Sequence, residues 1–143
     1  MAEAAADALY RANPAFAARY AHLGDAGRRH CVKDIGHHLR FLAAAVDVAD
    51  AKVFTDYAAW AYRVVVTHKV LPDDALASFQ CLADVAPPAA GADAAGFVRD
   101  TIQAAVRLLE QSGGGARGES DREGAKSAKG REEEADRVRS ASS

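Results

Sequence analysis

Apolar residues in this chain recur every third or fourth position, and the alternating pattern of a half-buried strand is absent. Over residues 26–48, Cys31, Ile35, Leu39, Leu42 and Val46 fall on one stripe of a helical wheel while Arg29, Lys33 and Arg40 lie off it. The spacing predicts a long helix. Over 51–70 a second stripe of Phe54, Ala58, Ala61 and Val65 is flanked by Tyr57, Trp60, Tyr62 and Val64, with Lys52, Asp56, Arg63 and Thr67 on the polar side. So wide an apolar arc predicts a helix packed on two neighbours. Val64–Val66, the one cluster of β-branched residues, lies inside this helical pattern.

Helix punctuation divides the rest. Asn13 before Pro14 reads as an N-cap with proline at the first helical position, so a short helix over 3–12 gives way to a second one running to His22 and stopped by Gly24. Asp50 is placed to cap the helix over 51–70. Leu71-Pro72-Asp73-Asp74 reads as a turn with a capping aspartate. It opens a fifth helix, with Leu76, Phe79, Leu82 and Ala83 inward, that Pro87 and Pro88 should end. Asp93 is the expected cap of a last helix. There Phe97, Val98, Thr101, Ile102, Ala105, Leu108 and Leu109 face inward, Arg99, Gln103, Arg107 and Glu110 face out, and the glycines at 113–115 terminate it. The expected fold is all-α, a helical bundle or globin-like packing of about four main helices plus a short N-terminal pair.

From residue 113 the chain changes character: Gly, Ser and charges dominate, and Val138 is the one large apolar side chain. Such a composition buries too little to fold, so the expected organisation is a helical domain over 1–112 and a disordered tail over 113–143. The tail holds seven Lys/Arg and seven Asp/Glu, which leaves the formal charge of −2 on the helical part. There is no basic patch for nucleic acid or an anionic membrane. Apolar runs are broken well before the ~20 residues that a membrane span needs. Two cysteines, Cys31 and Cys81, are too few and too far apart for a disulfide framework or a zinc knuckle. Reduced thiols and a cytoplasmic location are the expectation, with neither nucleic acid nor membrane as partner.

The densest polar chemistry lies in His30-Cys31-Val32-Lys33-Asp34-Ile35-Gly36-His37-His38-Leu39. Asp34 and His38 stand four apart on the edge of the apolar stripe, where a carboxylate and an imidazole can touch, while His30 and His37 lie further toward solvent. One reading has Asp34 orienting His38 toward a ligand between the third and fourth helices; the other has a seam histidine satisfied by a nearby carboxylate. A metal site over His30, Asp34 and His37 lacks a complement, since the fourth helix offers only His68 and no acid on its apolar arc. Tyr57 and Trp60 share a flank of the fourth helix and carry polar tips, so with Asp34 and His38 they form the candidate ligand-binding set, for no cofactor the sequence names. Cys31 on an apolar stripe reads as a packed thiol rather than a nucleophile. With no nucleophile elbow, phosphate loop, dinucleotide fingerprint or paired buried carboxylates, the sequence points away from an enzyme.

Residues 14–86 carry a further pattern: Asp34-x-x-x-His38-Leu39-x-x-Leu42, then Phe54-x-Asp56-Tyr57-x-x-Trp60. This order resembles a helical segment of bacterial sensory and regulatory proteins, often found beside cobalamin-binding domains. The resemblance implies a non-catalytic signalling module that is dimeric. The chain departs from those regulators in having no D-x-H-x-x-G ligand motif and no adjoining helix-turn-helix reader, so cobalamin and DNA binding do not follow from it. The functional expectation is a regulatory or sensory module acting through protein contacts as a homodimer. The alternative is a small-ligand or chromophore binder of the haem, bilin or cobalamin type.

Overall fold

The computed structural model describes residues 1–113, and Met1–Leu109 form one compact unit. Every regular element among them is helical: α1 (Ala2–Ala12), α2 (Pro14–Tyr20), a 3-10 turn (Ala21–Leu23), α3 (Gly24–Val48), α4 (Ala51–Thr67), α5 (Pro72–Gln80), α6 (Leu82–Ala89) and α7 (92–113). The all-α expectation holds. The end of the last helix at the triple glycine and the disordered tail are expectations that lie outside the described residues beyond Gly113.

One core gathers Leu9 from α1, Phe16 from α2, Ile35 and Leu42 from α3, Phe54 and Ala58 from α4, Phe79 from α5, Leu82 from α6, and Ile102 and Leu109 from α7. The longest internal helix, α3, packs on both α1 and α4, and α4 in turn packs on α3 and α5, as its wide apolar arc requires.

The α3–α4 hairpin positions the candidate site, and its geometry is set within a few residues. At the end of α3 the Asp50 N–H donates to the Ala45 carbonyl and the Ala49 N–H to that of Val46, the paired bonds of a Schellman motif, with Ala49 in the left-handed region at φ 54. Asp50 then caps α4 as its sequence position foretells, its side chain accepting from the Lys52 N–H at 2.9 Å. Two residues thus reverse the chain, and contacts of both His38 and Phe41 with Tyr57 show α3 and α4 lying side by side.

Several boundaries differ from the sequence expectation, each for a local reason. Helix α4 stops at Thr67 rather than 70, because Lys69 adopts φ 69 and a second Schellman pair forms, Val70 N–H to Val65 and Lys69 N–H to Val66. Asn13 holds the N-cap position of α2, but its side chain turns back and donates to the Leu9 carbonyl of α1 at 3.1 Å. The fifth helix is two pieces separated at Cys81, and Ala83 is exposed rather than inward. Pro87 and Pro88 lie inside α6 instead of ending α5. The carbonyls they leave without amide partners, those of Ala83 and Asp84, belong to exposed residues, so the missing bonds fall at the surface rather than in the core. Asp93 lies inside α7, which begins one residue earlier.

Asp74 is the largest departure. It is not the cap of α5, whose N-cap is Leu71; it is 3% exposed and turned toward α2. There it accepts two bonds from the Arg19 guanidinium, one of them Nε–H at 3.0 Å, and a third from the Tyr20 hydroxyl at 3.0 Å. A buried carboxylate needs that saturation.

Candidate functional site

His38 lies on the buried side of α3 beside Ile35, Leu42 and Ala45, and it is 6% exposed. Both ring nitrogens are occupied: Nδ1 is 2.8 Å from the Tyr57 hydroxyl on α4 and Nε2 is 3.2 Å from Ser78 Oγ on α5. The Ser78 hydroxyl donates to the Ala75 carbonyl at 2.7 Å, so toward His38 its oxygen is an acceptor. The tautomer follows. Nε2 carries the proton and donates to Ser78, and Nδ1 accepts from the Tyr57 O–H. The imidazole also stacks on Phe79 at 4.0 Å between ring centroids, so one side chain ties three helices together.

Burial, with a smaller contribution from the charge of neighbouring His37, pushes His38 down to about 3 and keeps it neutral. Burial, reinforced by the charge of Asp34, pushes the Tyr57 phenol up to about 12. The pair is a fixed neutral donor and acceptor across the seam.

From Tyr57 the aromatic chain continues outward. Phe41 of α3 stacks on Tyr57 nearly parallel, with centroids 3.9 Å apart, and the Trp60 ring lies tilted at 6.2 Å from Tyr57. Phe41 is 42% exposed and Trp60 56%. The rings therefore run from the core at Phe79 through His38 and Tyr57 to a surface face on the α3–α4 seam.

Of the four residues expected to act together, His38, Tyr57 and Trp60 are contiguous. Asp34 does not pair with His38. It lies 3.6 Å from His30 Nε2 in an exposed contact, because the His38 ring turns into the core while the carboxylate stays in water. Its charge nevertheless reaches Tyr57. His37 is exposed, as its place on the wheel implies. Sequence reasoning missed Phe41 and Ser78. Phe41 follows His38 by three positions on the same flank and was within reach of the wheel, whereas Ser78 has no local signal, being forty residues away.

The remaining reactive groups are held quiet. Burial is the main cause that raises Cys31 to about 11 and Cys81 to about 12, so both thiols stay protonated near neutrality. Among the described residues no group of three or more His, Cys, Asp or Glu side chains is arranged to hold a metal ion. No helix among them is long and apolar enough to cross a membrane.

No family model, curated protein or solved structure matches this chain.

Proposed function

We propose that the chain is a non-catalytic regulatory or sensory helical module that works through protein–protein contacts, as a homodimer in the cytoplasm. The observation that carries the reading is the exposed aromatic face: Phe41 and Trp60, on adjacent helices, stand half in water around Tyr57. Large aromatics grouped on a surface are costly to leave wet, and they are the side chains that anchor interfaces. The chemistry beneath supports a non-catalytic role, since His38 is neutral with both nitrogens engaged and both thiols are protonated. The resemblance of Asp34–Leu42 and Phe54–Trp60 to segments of bacterial regulators points the same way.

A second reading is a small-ligand or chromophore binder, of haem, bilin or cobalamin type, seated at the third and fourth helices over Asp34, His38, Tyr57 and Trp60. The continuous ring path from His38 to Trp60 favours it. An absorption spectrum of protein purified from its own host, with Trp60 fluorescence titrations against haem, bilin and cobalamin, separates the two. Colourless protein whose emission is unmoved by all three and whose mass grows with concentration supports the interaction module. A bound chromophore, or saturable quenching, would reverse the choice.

A further inference from the structure

The exposed aromatic face also carries charge, and the charge is arranged so that the surface complements itself. On α3, Asp34, His37 and Phe41 follow one another at helical spacing along the seam flank; on α4, Asp56, Trp60 and Arg63 do the same. Asp56 is already paired with Lys52 at 2.8 Å. Arg63 is exposed and pairs with no carboxylate among the described residues. Asp34 has only the loose contact with an exposed histidine. Among the described residues the face thus holds a cation with no carboxylate partner on one helix and a weakly held anion on the other, with the aromatic rings on the next turns toward the Ala49–Asp50 reversal.

The two charges lie near the same level. The reversal at Ala49–Asp50 sends α4 back along α3 with Tyr57 beside His38 and Phe41. Asp34 is one turn before His38, and Arg63 is the next turn after Trp60. We propose that a second copy of this chain covers the face, α3 of each copy lying on α4 of the other about a two-fold axis parallel to the helices, Trp60 against the partner's Phe41 and Asp34 opposite the partner's Arg63. The same axis with α3 lying on α3 would set Asp34 level with the partner's Asp34, like charge against like. An isologous contact makes each charge pair twice, so the surface supplies its own complement and needs no second protein.

The proposal rests on the homodimer reading and names its interface, and charge exchange tests the two separately. In sedimentation velocity the full-length chain is expected to form a dimer that dissociates on dilution. Asp34→Arg places two like-charge pairs in the interface, as does Arg63→Asp, and each should weaken self-association at least about tenfold. Because the two changes are reciprocal, an equimolar mixture of the variants should restore dimers that neither forms alone. Trp60→Ser, which leaves both charges in place, should weaken the dimer to a comparable extent. Thermal melts followed by circular dichroism check that each variant is folded, and the exposure of Trp60 and Arg63 and the half-exposed side chain of Asp34 predict little change in midpoint. A wild-type dimer indifferent to the reversals, or a mixture that stays monomeric, overturns this interface while leaving the homodimer standing. Wild-type protein that is monomeric at every attainable concentration overturns both.

Discussion

His38 concentrates the chemistry of the site into one residue and makes stability depend on pH. Its proton affinity is ordinary in the unfolded chain, near 6.5, and falls to about 3 in the fold through burial. Between those values the unfolded state binds more protons, so stability rises with pH there. It is complete above about 6.5 and lost as pH falls toward 3, at up to ~1.4 kcal/mol per pH unit. Urea titrations from pH 7 to pH 4 should show that slope, and His38→Gln should flatten it. Truncating the ring, His38→Ala, leaves the Tyr57 hydroxyl and Ser78 without their partner and opens space beside Phe79. The expected loss is about 2–4 kcal/mol in chemical denaturation. Thr101 presents the opposite case: its Oγ1 is buried with no hydrogen-bond partner among the described residues. Thr101→Val keeps the shape and removes the unpaired hydroxyl, and should leave stability unchanged or raise it by up to ~1 kcal/mol.

At the scale of elements, the joints rather than the helix interiors hold testable strain and specificity. Ala49 and Lys69 each end a helix in the left-handed region, a conformation that costs a side-chain-bearing residue roughly 1 kcal/mol. Ala49→Gly should therefore stabilise the α3–α4 hairpin by about 0.5–1 kcal/mol, read as a higher melting midpoint, and a lower midpoint would mean that the extra freedom of the unfolded glycine outweighs the relief. The joint between α2 and α5 depends instead on Asp74, which accepts three bonds from Arg19 and Tyr20. Asp74→Ala deletes all of them, and a loss of about 1–3 kcal/mol is expected by urea denaturation. The same change in Asp73, the exposed neighbour, should cost less than half of that.

For the whole molecule, the face proposed for association is separate from the faces of the same hairpin that build the core. The inner faces of α3 and α4 supply Ile35, Leu42, Phe54 and Ala58 to the core, while Phe41 and Trp60 on the seam remain half exposed. Substitutions at Trp60 should consequently move the dimer equilibrium with little effect on the melting midpoint, whereas His38→Ala should move both, since Tyr57 joins the core to the face. Comparing the two variants by calorimetry and sedimentation on the same samples checks this separation.

Local pattern by itself determined the all-α class, the bounds of α3 to within two residues at its start, the Asp50 cap, and proline at the first position of α2, because each of these depends on neighbours within a turn or two. It also grouped Asp34, His38, Tyr57 and Trp60, since helical spacing assigns residues to faces, and of these His38, Tyr57 and Trp60 are contiguous. Tertiary structure decided what those residues do. It turned His38 inward to Ser78, left Asp34 beside His30, and buried Asp74 under Arg19 rather than at a helix cap. Partners such as Ser78 for His38 and Arg19 for Asp74 stand forty and fifty-five positions away. A buried polar group takes whichever partner the packing of distant helices brings within reach, and no local spacing encodes that choice.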